Sequence, residues 1–310
     1  MPAYLHGFGA HVPERVVANA ELAVRVERSS EWIESVSGIR ERRWAAESVT
    51  VADMAVAAAE DCLRKSGVQA ATLGMLMVAS GSGAHGFPGP AAEVAARLGL
   101  NSTPAIDVPM ASAGTLFGMA LAMRLTETQG DVLVIGAEKM SAVVQVEPLD
   151  ANTAILFGDG AGAALVSARP GRWRMLDAVL HSDGQYREAL AYDRGGPLRM
   201  DGLTVILQAA RKMPAAITEV LERQSLSAQQ VSVFLLHQAN LNLLTRIAKS
   251  LGVPPEKLFA NVQRYGNTSS ASMLIAASEW SEKDADRGPV VFSAFGAGFH
   301  WGALVTDWAS

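Results

Sequence analysis

Three polar side chains in this sequence stand where predicted buried strands give way to turns or helices. Ser112 follows the segment 107–111 and precedes an Ala- and Leu-rich helical stretch, where helix N–H groups converge and a developing negative charge is stabilised. His237 directly follows the apolar run 231–236, and Asn267 lies in a turn that contains glycine and serine. Each residue alone fits a structural role, as a helix cap, a hydrogen-bonded histidine or a turn amide. Together they predict a nucleophile, an imidazole and an amide donor from separate strand ends.

Strands and helices are predicted to alternate along the chain, and they position these residues. Short runs rich in β-branched residues are separated by Ala- and Leu-rich stretches, a pattern typical of an α/β protein whose strands are buried between helices. Strands are predicted at 75–79, 105–108, 132–136, 163–167, 231–236, 290–293 and 303–306. Helices are predicted at 51–65, 91–98, 113–125, 203–223, 241–251 and 270–283.

A weak internal repeat organises these elements. The strand before Ser112 is followed by a helix, DVLVIGAEK and GDGAGAALVS, and the strand before His237 is followed by a helix, GPVVFSAFGAG and HWGALVTDW. Two stacked copies of one α/β unit would bring both strand ends to a shared cleft. We therefore predict an N-terminal half, residues 1–168, with the nucleophile position and a C-terminal half, residues 169–310, with His237 and Asn267.

Composition and charge exclude several classes of protein. Of the 310 residues 49% are hydrophobic, and 26 Lys and Arg face 31 Asp and Glu, so the net charge of −5 gives no general attraction to nucleic acid or anionic membranes. The single cysteine, Cys62, rules out an intrachain disulfide, and no Cys/His cluster has the spacing of a zinc site. No segment reaches the roughly 18 apolar residues of a membrane span. We expect a cytoplasmic protein that binds no metal, membrane or nucleic acid.

Several motifs resemble one family. DVPMASAG resembles the DVxxACxG nucleophile segment of the ketoacyl-acyl-carrier-protein synthase III family, a group of thiolase-like condensing enzymes, and HQAN and GNTSSAS resemble its histidine and asparagine motifs. EWIESVSGIRERR, GFPGPAAEVAARLGL, FGDGAGAALV and FGAGFHWGALV match it in order and spacing, so the resemblance covers essentially the whole chain. It implies a thiolase-like, five-layered αβαβα fold made of two duplicated halves, and a homodimer.

The same resemblance implies a reaction. The family's nucleophile takes an acyl group from a thioester, and its His and Asn donate hydrogen bonds to the malonyl thioester oxygen during decarboxylation. These catalytic roles fall to Ser112, His237 and Asn267, and the oxyanion hole for the acyl group falls to the N–H groups of Ser112 and Ala297. The implied function is starter-unit condensation or transfer in fatty-acid or polyketide biosynthesis. Acyl-CoA or acyl carrier protein is the implied thioester substrate, with no further cofactor.

Four more residues receive substrate-binding roles from the resemblance. Trp32 matches a tryptophan that contacts CoA, and Phe87 matches a residue that lines the partner subunit's acyl pocket. Arg246 and Lys249 follow the HQAN motif on a predicted helix and would face an acidic acyl carrier protein. A plain dimer contact is an equally open interpretation of Phe87.

The sequence also departs from the family pattern. Ser112 replaces the nucleophilic cysteine, while Val36, Ala151 and Asn242 stand where basic residues are expected. A serine hydroxyl cannot be ionised by a helix N-terminus, so Ser112 would need His237 as a general base. The absence of arginine at positions 36 and 151 weakens the expected contacts to CoA and favours a carrier protein as the acyl donor. It also favours natural divergence over a laboratory replacement of the cysteine.

Two other functions therefore stay open. An oxygen ester is less activated than a thioester, which makes a non-condensing acyltransferase to a hydroxyl, amine or thiol more plausible. A catalytically silent subunit paired with an active homologue is the alternative from another class. The retention of both His237 and Asn267 favours catalysis, because a silent subunit has no chemical need for either.

Overall fold

The computed structural model describes residues 2–283 and 287–309. Within this part the strands are β1 (Ala3–His11), β2 (Val16–Ala18), β3 (Glu41–Arg43), β4 (Leu73–Ala79), β5 (Ala105–Val108), β6 (Asp131–Lys139), β7 (Asp159–Ser167), β8 (Trp173–Ser182), β9 (Leu190–Ala191), β10 (Arg199–Met200), β11 (Val233–Leu236), β12 (Val290–Gly296) and β13 (His300–Trp308). The helices are α1 (Asn19–Arg25), α2 (Ser30–Ser37), α3 (Val51–Ser66), α4 (Pro90–Arg97), α5 (Gly114–Gln129), α6 (Ser141–Val144), α7 (Ala151–Ala154), α8 (Gly202–Arg223), α9 (Leu241–Leu251), α10 (Val262–Tyr265) and α11 (Ser272–Ser281). Among the helices so described, none combines the length and the apolar character that crossing a bilayer requires.

Nine strands form one sheet in the order β11-β12-β13-β8-β1-β7-β6-β4-β5. In the first half β4 runs parallel to β6, and β6, β7 and β1 are successively antiparallel. In the second half β11 runs parallel to β12, and β12, β13 and β8 are successively antiparallel. The two halves thus repeat one strand order and one set of directions, and a short β1–β8 pairing joins them. The prediction of duplicated halves is confirmed, whereas the boundary between residues 168 and 169, which falls between β7 and β8, stays a prediction.

The strand that precedes His237 is not the counterpart of the strand that precedes Ser112. By its neighbours β11 is the equivalent of β4, while β5, which leads to Ser112, lies at the edge of the sheet beyond β4. The repeat predicted from sequence paired β5 with β11 and was wrong there, although its pairing of β6 with β12 and of β7 with β13 agrees with the topology. Both segments are short apolar runs that end in a polar residue, so only their strand neighbours distinguish them.

Three layers of helices enclose the two halves of the sheet. Helices α3 and α4 cover the outer face of the first half, and α8 and α9 cover the outer face of the second. Helices α5 and α11 lie between the halves and contact strands of both. Strand β6 reads as a continuous apolar run because Val132 and Val134 face the central helices while Leu133 and Ile135 face α3 and α4. The predicted αβαβα layering is confirmed.

The two central helices, α5 and α11, are each preceded by a predicted site residue. Helix α5 carries no charged residue before Arg124, as expected for a helix with both faces buried, whereas α8 and α9 have one polar face. A Cβ on Gly118 would lie 2.8 Å from a methyl group of Val134, so glycine lets α5 approach β6 closely. Ser112 precedes α5, and Asn267 precedes α11.

Candidate active site

Ser112 occupies a strained turn between β5 and α5. Its φ is +64°, a left-handed conformation that costs a residue with a side chain about 1–3 kcal/mol and occurs preferentially at functional sites. The side chain is buried, and its backbone N–H donates to Ser269 Oγ at 3.0 Å. A Cβ on Gly296 would lie 2.1 Å from the carbonyl oxygen of Ala111, so the glycine allows the turn that contains Ala297 to press against the Ser112 turn.

His237 lies in the short connection between β11 and α9. The side chain of Asn240 caps α9 by accepting from the N–H of Leu243 at 2.8 Å, which fixes where the helix begins. The imidazole Nδ1 lies 2.7 Å from Ser272 Oγ. Burial lowers the pKa of His237 from an ordinary 6.5 to about 4, against an opposing backbone hydrogen bond with Ser269. The imidazole is therefore neutral at pH 7.

Asn267 is held by its backbone and by its side chain. Its N–H donates to the carbonyl of Leu156 at 2.9 Å, and its carbonyl accepts from the N–H of Gly158 at 3.1 Å. The side-chain Oδ1 accepts from the N–H of Ser269 at 2.9 Å. Because Oδ1 is engaged in this way, the Nδ2 group is the part of the amide left to donate to a bound molecule.

Residues 267–272, which we call the serine segment, belong to the second half but are anchored on the first. The buried carboxylate of Glu138 accepts from Ser270 Oγ at 2.7 Å and from the backbone N–H groups of Gly81 and Ser82 at 3.0–3.2 Å. Thr115 Oγ1 donates to the carbonyl of Ser270 at 2.9 Å. The segment thus bridges the loop after β4, the strand β6 and the helix α5.

One cavity of about 240 Å³ brings the predicted site residues together. Ser112, His237, Asn267 and Ala297 all line it. The rest of its wall is mostly apolar and includes Met140, Leu156, Phe157, Val205, Ile206 and Met213. An apolar chamber with a few convergent polar groups has the character of a small-molecule site, and it suits a substrate with a hydrocarbon part.

The four predicted substrate-binding residues lie outside this cavity lining. Trp32 is half-buried on α2, with the guanidinium of Arg28 5.5 Å from its ring centroid. Phe87 lies in the loop between β4 and α4 and is 93% exposed. Arg246 and Lys249 are exposed on α9. The structure therefore groups the catalytic candidates with one another but not with these four.

The three positions where the family resemblance predicts basic residues lie on three different helices, α2, α7 and α9. Asn242 Nδ2 donates to the carbonyls of Ser35 and Val36 at 3.1 and 3.0 Å, so this amide joins α9 to the end of α2. Val36 is 43% exposed, and Ala151 begins the short helix α7. None of these three side chains carries a charge.

Two serines near Ser112 could not be assigned a role from the sequence alone. Ser269 Oγ accepts from the N–H of Ser112 and lies 3.4 Å from Ser112 Oγ, and Ser272 Oγ contacts the imidazole of His237. In the part of the chain that the structure describes, no hydrogen bond joins Ser112 Oγ to His237 directly. The signal was present in GNTSSAS, where three serines follow the asparagine and the last of them, Ser272, begins α11.

Comparisons with known proteins identify a family. Residues 106–184 match the family model described as 3-oxoacyl-[acyl-carrier-protein] synthase III, and residues 221–308 match the model of its C-terminal part. A beta-ketoacyl-[acyl-carrier-protein] synthase III from Rhodobacter capsulatus is 37% identical over 99% of both chains.

Solved structures agree as well. The 3-oxoacyl-[acyl-carrier-protein] synthase III from Aquifex aeolicus superposes with a TM-score of 0.94 at 35% identity, covering 99% of this chain and 100% of the other. The priming beta-ketosynthase of the R1128 polyketide pathway gives 0.90 at 30% identity, covering 99% and 96%. With the layered fold and the site at the seam of its halves, these matches establish that the chain belongs to the 3-oxoacyl-acyl-carrier-protein synthase III family of condensing enzymes.

Proposed function

We propose that this chain is an acyltransferase of the synthase III type that carries its acyl intermediate on Ser112 and condenses it with malonyl carrier protein. One observation carries the proposal: Ser112, at the start of α5, shares an apolar cavity with two neutral N–H donors, His237 and Asn267. The fatty-acid and polyketide synthases among its relatives perform starter-unit chemistry of this class.

In the first step the Ser112 hydroxyl attacks the carbonyl carbon of an acyl thioester. The new C–O bond forms as the C–S bond breaks, and the hydroxyl proton leaves with the thiol. The oxyanion would be held by the N–H groups of Ser112 and Ala297, and the acyl oxygen would displace Ser269 Oγ from the N–H of Ser112. A base whose pKa is about 4 accepts a proton poorly at pH 7, so we expect this step to limit turnover.

In the second step the malonyl thioester loses carbon dioxide. Its C–C bond breaks and negative charge moves to the thioester oxygen. The resulting enolate attacks the acyl carbon, and Ser112 Oγ departs and takes up a proton from solvent. His237 and Asn267 would both donate to that oxygen. Removing one such donor from a preorganised site costs on the order of 10²–10³ in rate, so both are expected to be essential.

The donor is proposed to be an acyl carrier protein. The side chains at Val36, Ala151 and Asn242 are uncharged, and each charge-assisted hydrogen bond lost to a nucleotide weakens binding by roughly 1.5–3 kcal/mol. Exposed Arg246 and Lys249 remain available on α9 for an acidic partner.

The chain is also proposed to act as a homodimer. Strand β5 is the edge of the nine-stranded sheet, and Ile106 on it is 43% exposed. Phe87 in the nearby loop is 93% exposed, which is costly for a large aromatic side chain in water. Pairing of two β5 edges would cover an unpaired row of backbone groups and bury these side chains.

The test is mass spectrometry of the intact protein after incubation with acyl-CoA or with acyl carrier protein. We expect an acyl adduct on wild-type protein, formed faster from the carrier, and none on Ser112→Ala. Malonyl carrier protein should then release carbon dioxide and remove the adduct. Transfer to another acceptor without carbon dioxide would indicate a non-condensing acyltransferase, and absence of any adduct would indicate a silent subunit.

A further inference from the structure

The buried hydroxyl of Ser272 lies at the start of α11, behind the imidazole of His237 as seen from the cavity. Ser272 Oγ is 2.7 Å from His237 Nδ1, and it also accepts from the backbone N–H of Gln238 at 3.1 Å. Ser272 is 2% exposed and does not line the cavity. Its effect on the chemistry must therefore pass through His237.

We propose that Ser272 is a positioning residue that fixes His237 as the tautomer with its proton on Nε2. A serine hydroxyl has one proton to donate and two lone pairs that accept. The N–H of Gln238 uses one lone pair, so the hydroxyl proton is placed to donate to the bare Nδ1. If Nδ1 carried the proton, Ser272 Oγ would accept twice, and its own proton would have no acceptor among the hydrogen bonds of the described residues.

The tautomer matters because the imidazole is neutral. Burial holds the pKa of His237 at about 4, so near pH 7 one ring nitrogen carries a proton and the other does not. With Nδ1 bare, Nε2 carries the proton and is the ring nitrogen that can donate, and His237 lines the same cavity as Asn267. With Nδ1 protonated, Nε2 would be an acceptor and could remove the proton of Ser112.

Ser272 therefore has opposite effects on the two half-reactions. The hydroxyl favours His237 as the hydrogen-bond donor that decarboxylation needs, and it disfavours His237 as the base that acylation of a serine needs. This assignment of steps rests on the proposed function, whereas the tautomer itself is a property of the folded chain.

The first test is nuclear magnetic resonance of protein with isotopically labelled histidine nitrogens, at neutral pH. The chain has 6 histidines, and the signal that disappears in His237→Gln identifies the one of interest. We expect wild-type protein to show the proton on Nε2, and Ser272→Ala to show a mixture of tautomers. A wild-type signal with the proton on Nδ1, or an unchanged signal in Ser272→Ala, would overturn the proposal. The readout needs no substrate, so it stands apart from any failure of the proposed function.

The second test compares rates. Ser272→Ala should slow decarboxylation of malonyl carrier protein about tenfold without slowing the acylation of Ser112, and Ser272→Thr should restore the rate of decarboxylation. Ser278→Ala is the matched control, because Ser278 is a buried serine on the same helix whose hydroxyl contacts Lys65. Equal losses in both half-reactions, or an equal effect of Ser278→Ala, would mean that Ser272 serves packing alone.

Discussion

The neutral imidazole of His237 makes the acid stability of this protein predictable. In an unfolded chain this histidine takes up a proton near its ordinary pKa of 6.5, but in the folded chain burial lowers the pKa to about 4. Between these values the unfolded state binds more protons, so the contribution of His237 to the free energy of unfolding falls as the pH falls from 6.5 to 4 and is constant below that window. The difference of 2.5 pKa units corresponds to about 3 kcal/mol.

The perturbation is His237→Gln, which replaces the imidazole with an amide that cannot be protonated. Urea unfolding at several values of pH and one protein concentration gives the free energy for each form. We expect wild-type protein to lose about 3 kcal/mol more than the variant between neutral pH and pH 4, whatever the variant costs at neutral pH. Parallel pH curves for the two proteins would refute the reasoning, because they would mean that His237 has the same pKa in the folded and unfolded states.

Three further changes have definite expected outcomes. Ser112→Cys should raise the rate of condensation and should be alkylated once by iodoacetamide. Wild-type protein should stay unlabelled, because burial raises the pKa of its only thiol, Cys62, to about 12. Labelling of the wild-type protein would contradict this. Gly136→Ala places a Cβ 2.4 Å from a carbonyl of the serine segment and should lower the free energy of unfolding in urea by about 1–3 kcal/mol. Gly184→Ala, at a position with open space around it, should change that free energy little. Equal effects of the two changes would refute the close packing at Gly136. Arg42→Met removes a buried guanidinium that donates to three acceptors and should lower stability by about 1–3 kcal/mol, and an unchanged melting temperature would contradict it.

Sequence alone predicted the layered fold but missed its two middle strands. All seven predicted strands exist. Six of them are apolar or β-branched runs that are buried on both faces, whereas the edge strand β5 is only partly buried. Strand β1 contains Gly7 and Gly9, which weaken a strand pattern, and a Cβ on Gly9 would lie 2.2 Å from the backbone nitrogen of Cys62 on α3. Strand β8 alternates only partly between buried and exposed residues. Tertiary packing, and not local propensity, makes strands of both.

The catalytic candidates could be found from sequence because Ser112, His237 and Ala297 each come after a strand and Asn267 lies in a turn with glycine and serine. Ser112, His237, Asn267 and Ala297 share one cavity, as expected if they act together. The orientation of their hydrogen-bonding groups could not be read from the sequence. It depends on the hydroxyls of Ser269 and Ser272, which are close in sequence to Asn267 but far from the other residues they contact.

The anchoring of the serine segment also affects how the chain folds. Glu138 in the first half needs Ser270 from the second half as one of its hydrogen-bond donors, and the N–H of Asn267 needs the carbonyl of Leu156. Separated halves would lose both of these hydrogen bonds, and each buried group left without a partner would cost roughly 1–3 kcal/mol. Although the two halves repeat one strand order, the chain should fold and unfold as a single cooperative unit. The candidate site, which is built from residues of both halves, is then complete only when folding itself is complete.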